Sequence, residues 1–171
     1  YRRQRQMCIR DRAVHAGAIG TGPNGDLIST TLAKEGVAMS AARVPDADTG
    51  VCLVLLDPSA ERTFITTTGA ERAVSVDSFG TSSPRPGDVV CVTGYSLALP
   101  TTRDPLLAWL DTLPAGVDVV LDPGAVFAEL DESVRTHMID HTTVWTGNAE
   151  ESAALGGVGD MVGSCLLYTS P

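Results

Sequence analysis

The chain has 171 residues, of which 43% are hydrophobic and 19% are charged, a composition that suits one globular domain with a sizeable core. Its formal net charge of -9 argues against a nucleic-acid partner and against an anionic membrane surface, because both require a basic footprint. The sequence contains neither an apolar run of about 20 residues nor the apolar core of a signal peptide. We therefore expect a cytoplasmic protein whose partner is a small molecule.

The two ends of the chain read as translated DNA adapter. The segments "MCIRDR" near the start and "CLLYTS" near the end can be written in codons that are reverse complements of each other, and both resemble a transposase adapter of sequencing libraries. We expect residues 1–12 and 164–171 to be such tails, which take no part in the native fold. Residues 13–163 then form a partial α/β domain that is incomplete at both ends.

The first predicted element is a helix over "NGDLISTTLAKEGV". Its apolar residues recur at helical spacing, Asn24 is a residue type that caps helix starts, and Gly36 is typical of a helix end. The residues just before it, Gly20 to Gly25, fit the pattern G-x-G-x-x-G, so a dinucleotide-binding oxidoreductase is one alternative. Asp26 argues against it, because a carboxylate would lie where the pyrophosphate binds. That alternative also requires a strand before Gly17.

A β-hairpin is predicted next. The β-branched and apolar runs "TGVCLVLLD" and "ERTFITTTG" are joined by residues 57–60, which include a proline. The runs "DVVCVT" and "GVDVVLD" predict strands that are buried on both faces. Of the four cysteines, none forms a C-x-x-C pair or has a histidine-rich neighbourhood typical of zinc. Cys52 and Cys91 lie in apolar runs and are expected to be buried thiols.

The second half of the chain alternates between strands and helices. The segment "RDPLLAWLDTL" predicts a helix with Pro105 in its first turn and five inner-face residues: Leu106, Leu107, Trp109, Leu110 and Leu113. "DESVRTHMIDH" predicts a helix, "TTVWT" a strand, and "NAEESAALGG" a helix that ends at glycine. Strands and helices in alternation with short links predict parallel βαβ units in a doubly wound sheet.

Ligands of such sheets bind beyond the carboxyl ends of the strands, which selects a few candidate residues. These are Tyr95, Asp122, Asn148, Glu150 and Glu151. One interpretation is structural: Asn148 caps a helix, the two glutamates complement the helix dipole, and Asp122 forms a turn before Pro123. The other is functional, because amide and carboxylate oxygens at a helix start can hold hydrated Mg²⁺ beside a phosphate.

Five landmarks, in order, carry a resemblance to a known family. They are "GAIGTGPNGDLISTTLAKEGV", "TGVCLVLLDPSAERTFITTTGAE", "GDVVCVTGYS", "VVLDPG" and "TGNAEESAALGG". Their order and spacing resemble the ribokinase-like, PfkB-type carbohydrate kinases over about residues 13–157. The resemblance implies an α/β fold with a small β-hairpin lid over residues 50–68. It also implies transfer of the γ-phosphoryl group of ATP to a sugar hydroxyl, with Mg²⁺.

The resemblance also implies roles for individual residues. Asn148 and Glu151 match the family's N-x-x-E motif, which is associated with magnesium and phosphate. Thr49 and Gly50 lead into the lid and, with Tyr95 at a strand end that faces the sugar in relatives, are the expected substrate-binding residues. Relatives often pair through the lid, which implies that this protein could form a homodimer.

Two family features are missing from the sequence. Near their start, relatives carry a glycine-rich segment that grips the sugar, and far downstream a G-A-G-D motif whose Asp acts as the base. The segment "GGVGD" at 156–160 comes too early in the chain to be that motif. We therefore expect no catalytic residue in this chain and an inactive fragment of a kinase. A non-catalytic sugar- or nucleoside-binding module of the same fold is a further alternative.

Overall fold

The computed structural model describes residues 13–59 and 62–156. Both expected adapter tails, Cys8, Cys165 and most of the "GGVGD" segment therefore lie outside the described residues. The chain divides after Ser82 into two compact units, which are described separately. None of the described helices is both long and apolar enough to cross a membrane.

The described residues of the first unit form two small sheets and two α-helices, besides a short 3-10 helix at Ala70–Arg72. Two-residue strands β1 (Val14–His15) and β2 (Ala38–Met39) pair in parallel, with helix α1 (Pro23–Lys34) between them. Strands β3 (Cys52–Leu56) and β4 (Arg62–Thr66) form an antiparallel hairpin. A short helix, α2 (Val76–Gly80), closes the unit. The predicted helix and hairpin are thus confirmed.

Helix α1 is capped differently from the prediction. It starts at Pro23 after Gly22, so Asn24 lies inside the first turn rather than before it. The carboxylate of Asp48 replaces the missing cap: Oδ1 accepts the N–H of Gly25 at 3.0 Å, and Oδ2 accepts that of Asn24 at 3.2 Å. A residue more than 20 positions away therefore satisfies the orphan donors of this helix.

The hairpin is solvent-exposed on both faces. Residues 52–56 and 62–66 are all exposed, although most of them are apolar or aromatic. Cys52 is consequently an exposed thiol, and so is Cys91 in the second unit, so the expectation of two buried thiols was wrong. The physical reason is that an apolar run shows strand propensity but does not show which neighbours will cover it.

The second unit is built on a three-stranded parallel sheet. Its strands β5 (Val89–Thr93), β6 (Asp118–Asp122) and β7 (Val144–Trp145) lie in the order β5-β6-β7. The parallel βαβ order is confirmed for this sheet, but the described residues form three separate sheets rather than one continuous one. β5 was expected to be buried on both faces; it lies instead at an edge of the sheet, with Val89, Cys91 and Thr93 exposed.

The described part of this unit contains three α-helices, which alternate with the strands along the chain. They are α3 (Pro100–Leu110), α4 (Glu132–His141) and α5 (Ala149–Gly156). α3 begins at Pro100, earlier than predicted, so Pro105 lies inside the helix and not in its first turn. Four of the five predicted inner-face residues of α3 are buried, and Leu113 lies beyond its end. The most buried side chains of the unit are Leu97, Leu110, Leu121, Phe127 and Met138.

Candidate functional site

The carboxyl ends of the three parallel strands lie along one edge of the sheet of the second unit. In the pairing register Thr93 lies opposite Asp122, and Leu121 lies opposite Trp145. The segments that follow, Gly94–Leu97, 123–124 and 146–148, therefore emerge side by side. Three of the predicted site residues, Tyr95, Asn148 and Glu151, thus follow strand ends at this one edge. Thr49 and Gly50 belong to the other unit.

Close backbone approach holds the first two strand ends together. Gly94 follows β5, and any Cβ there would collide with the carbonyl oxygen of Pro123. Gly124 adopts a left-handed φ of 55°, and a Cβ there would lie 2.9 Å from Cε2 of Tyr95. Two glycines thus allow the Tyr95 ring to lie over the turn after β6. Tyr95 nonetheless remains 62% exposed as a residue, so it is available to a ligand.

Asn148 and Glu151 form a reciprocal capping box at the start of α5. The N–H of Glu151 donates to Oδ1 of Asn148 at 2.8 Å, and the N–H of Asn148 donates to Oε2 of Glu151 at 2.9 Å. The structural interpretation of this pair is therefore present in the molecule. The same bonds aim both side-chain oxygens at one helix N-terminus, where the helix dipole is positive.

Glu151 is also placed by the strand end before it. A Cβ at Gly147 would lie 3.3 Å from Oε2 of Glu151 and 2.7 Å from Nε1 of Trp145. Trp145 in turn packs edge-to-face on the buried Phe127, with ring centroids 5.7 Å apart. Glycine at position 147 thus leaves room for both the Trp145 ring and the Glu151 carboxylate, whereas Glu150 is exposed.

The turn interpretation of Asp122 is supported. Its Oδ1 accepts the N–H of Gly124, two residues later, at 3.3 Å. This local bond shapes the turn after β6, and the side chain is exposed.

The root of the hairpin is held by a network in the first unit. Glu71 accepts the N–H of Gly50 on Oε2 at 2.8 Å and the N–H of Gly69 on Oε1 at 2.6 Å, so one carboxylate joins the chain entering the hairpin to the chain leaving it. Burial alone would raise the pKa of Glu71, but these two N–H bonds, together with its own N–H and the positive charge of Arg72, outweigh burial and leave the pKa below its ordinary value. Thr49 lies beside this root, and its Oγ1 accepts the N–H of Gly20 at 3.0 Å.

The carboxylate of Asp48 already lies at the glycine-rich turn before α1. β1 supplies the strand that a dinucleotide site requires, but the carboxylate of Asp48 occupies the N-terminus of α1, where a pyrophosphate would bind. The hydrogen bond from the N–H of Gly25 is the main reason that the pKa of Asp48 lies below its usual value, so this carboxylate is anionic at neutral pH. This geometry argues against the dinucleotide-binding alternative.

Asp48 and Glu71 were not singled out from the sequence. Each of them acts on backbone N–H groups up to 24 residues away, through pairings that no local pattern predicts. The only available signal was their position directly beside Thr49-Gly50 and Gly69-Ala70, the two ends of the predicted lid.

Comparisons with known proteins agree on one family. The sequence pattern described as "pfkB family carbohydrate kinase" matches residues 6–161. The chain is 33% identical over 110 residues to the uncharacterized sugar kinase YegV of Escherichia coli strain K12, which covers 63% of this chain and 34% of that protein. The chain thus spans about a third of the length of this curated relative.

Solved structures show the same fold. A putative ribokinase II from E. coli superposes with a TM-score of 0.79 at 17% identity, covering 93% of this chain and 54% of that one. Fructokinase from Vibrio cholerae, bound to fructose, ADP and calcium, gives 0.73 at 20% identity, with 91% and 53% covered. Adenosine kinase from Sinorhizobium meliloti gives 0.69 at 16% identity, with 92% and 50% covered. The chain therefore spans about half of each of these structures.

Proposed function

The chain belongs to the pfkB family of carbohydrate kinases, and from that premise we propose that the protein transfers the γ-phosphoryl group of ATP to a hydroxyl group of a sugar or sugar-like molecule. The observation that carries the proposal is the corner formed by Asn148 and Glu151 at the edge where the parallel strands end. Ligands of open α/β sheets bind beyond that edge.

The oxygen atoms of this corner fit a hydrated magnesium ion. Mg²⁺ prefers oxygen ligands and commonly keeps several of its waters, so it is held through one or two carboxylates and the phosphates of the substrate. A carboxylate has about four lone-pair directions, and the capping bond uses one of those on Glu151. Asn148 and Glu151 would therefore hold the ion through its waters. When bound, the ion neutralises charge on the phosphates during transfer.

The local charge favours a phosphate that arrives together with a cation. The N-terminus of α5 attracts anions, but its first turn carries both Glu150 and Glu151. These carboxylates would repel a bare phosphate group, and a divalent ion between them and the phosphate removes that repulsion. The arrangement therefore suits Mg²⁺-bound ATP better than free phosphate.

Tyr95 is proposed to contact the sugar. Its exposed ring lies over the turn after β6 and offers an apolar face together with a hydroxyl group, a combination suited to a sugar ring. Thr49 and Gly50 are proposed to bind substrate from the root of the lid, which Glu71 fixes. No described residue is proposed as the base that takes the proton of the hydroxyl group.

The hairpin β3–β4 is proposed as the lid. Its register places Leu53, Leu55 and Ile65 on one face and Val54 and Phe64 on the other, and all five are exposed. Covering a substrate accounts for one apolar face, since closure over the sugar would exclude the water that otherwise accepts the phosphoryl group. The second face would be covered by the lid of another copy, as in the homodimer that the family resemblance implies.

The test is an ADP-release assay of the whole gene product against a panel of sugars and nucleosides. We expect Mg²⁺-dependent ADP formation with one class of substrate, and identification of the phosphorylated product by mass spectrometry. Binding of a sugar without any ADP formation would overturn the kinase proposal in favour of the non-catalytic binding module. The substrates of the fructokinase and adenosine kinase relatives belong in the panel.

A further inference from the structure

Two histidines and one aspartate converge at the ends of helices α3 and α4 in the second unit. His137 and His141 lie one turn apart on α4, and Asp111 directly follows α3. Nε2 of each histidine lies 2.8 Å from the same oxygen, Oδ1 of Asp111. The three candidate ligand atoms all lie within 4.8 Å of one another. These residues are called the His-His-Asp cluster below.

The cluster is reachable from solvent and is not part of the site described above. Its side chains are 38%, 26% and 52% exposed for His137, His141 and Asp111. The imidazole ring centroids lie 5.5 Å apart, so the rings stand side by side with their Nε2 atoms facing one carboxylate. The i, i+4 spacing puts two histidines on one face of a helix, which is the arrangement that helical zinc sites use.

The position of Asp111 favours a bound cation. It caps the carboxyl end of α3, where the helix dipole is negative and a carboxylate is unfavourable. Each imidazole can bind a metal ion through Nε2 when its proton lies on Nδ1 instead. A metal dication would satisfy the carboxylate and both rings together.

We propose that the His-His-Asp cluster binds Zn²⁺, with Nε2 of His137, Nε2 of His141 and Oδ1 of Asp111 as ligands and a water molecule in the fourth position. Imidazole and carboxylate ligands suit Zn²⁺, whereas Mg²⁺ prefers oxygen ligands alone. Tetrahedral coordination sets the ligand atoms about 3.3 Å apart. The two Nε2–Oδ1 distances of 2.8 Å would lengthen to that spacing by small side-chain rotations. The bound ion would tie the end of α3 to α4 and stabilise the second unit.

The test is a Zn²⁺ titration of the full chain by calorimetry in a background without thiols. Cys8, Cys52, Cys91 and Cys165 are replaced by Ser, because thiolates also bind zinc and the two described cysteines are exposed. We expect one equivalent of bound Zn²⁺ that a large excess of Mg²⁺ does not displace. His137→Gln, His141→Gln and Asp111→Asn should each weaken binding at least about tenfold. Two control variants should leave binding unchanged. His15→Gln removes the one histidine outside the cluster, and Asp140→Asn removes a carboxylate next to His141 in the sequence.

Thermal denaturation separates a metal site from a hydrogen-bonded cluster. A metal site predicts that Zn²⁺ raises the melting temperature of the cysteine-free chain but not that of the His137→Gln variant. A purely structural cluster predicts a lower melting temperature for the variant and no response of either protein to Zn²⁺. Absence of binding, or equal affinity in the ligand variants, overturns the proposal. If a variant fails to fold, the visible absorption spectrum of Co²⁺ added to the cysteine-free chain tests the site instead. Intense bands of a four-coordinate ion support the site, and a weak six-coordinate spectrum overturns it.

Discussion

Asn148 and Glu151 satisfy each other's backbone N–H groups across the first turn of α5, so each side chain is both a helix cap and a candidate ligand. The two roles depend on different properties. Capping needs a side-chain oxygen, which an amide also supplies, whereas holding a magnesium ion depends on the negative charge of the carboxylate.

The substitution Glu151→Gln separates these roles. In the whole gene product we expect Mg²⁺-dependent turnover to fall at least about tenfold, because the charge beside the phosphates is lost, while the helix stays capped. The KM for the sugar should change little. Turnover measured across a magnesium titration checks this. Glu132→Gln, at an exposed glutamate in the first turn of α4, is the matched control, and an identical magnesium profile in wild type and Glu151→Gln would exclude the proposed role.

Acid should destabilise the first unit through Asp48. The folded pKa of this group lies below its ordinary value of 3.8, mainly because the N–H of Gly25 binds the ionised form. Its contribution is therefore complete above the unfolded pKa and is lost as the pH falls from there through the folded pKa. Urea denaturation from pH 7 to pH 2 should show a shallower pH dependence for Asp48→Asn than for wild type. Asp46→Asn, an exposed neighbour, should follow wild type; equal slopes for Asp48→Asn and wild type would contradict the cap.

Loss of the Glu71 carboxylate should open the root of the lid. Glu71→Gln turns one of the two acceptor oxygens into a donor that faces an N–H group, either of Gly50 or of Gly69. Two donors that face each other without an acceptor lower the free energy of unfolding by about 1–3 kcal/mol. We expect faster hydrogen exchange at the amides of Gly50 and Gly69. Glu35→Gln, on the exposed end of α1, is the control, and unchanged exchange at both glycines would show that the carboxylate does not hold the root.

A side chain at Gly124 should displace Tyr95. The left-handed φ of 55° is strained for alanine, and the added Cβ would lie 2.9 Å from the tyrosine ring. We expect Gly124→Ala to lower the free energy of unfolding by about 1–3 kcal/mol and to raise the KM for the sugar. Gly80→Ala is the control, because a Cβ there meets nothing within 4 Å. Equal stability and equal KM for Gly124→Ala and wild type would remove the argument that this turn positions Tyr95.

Local patterns in the sequence predicted most elements, and with them the family. The spacing of apolar residues placed α1, α4 and the hairpin within a few residues of their observed positions, because backbone geometry alone sets the periods of helices and strands. Proline was less informative: Pro105 marked a helix start in the sequence, but the helix extends back to Pro100.

The sequence by itself thus determined the order of elements and the candidate pair Asn148 and Glu151, because their pattern lies within one helical turn. Only the tertiary structure decided which residues act across long separations. Asp48 caps a helix that begins 25 residues earlier, and Asp111 meets His137 and His141 across 26 and 30 residues. It also decided that Cys52 and Cys91 are exposed. The physical reason is that propensity and periodicity are properties of a short segment, whereas burial and convergence depend on which segments pack together.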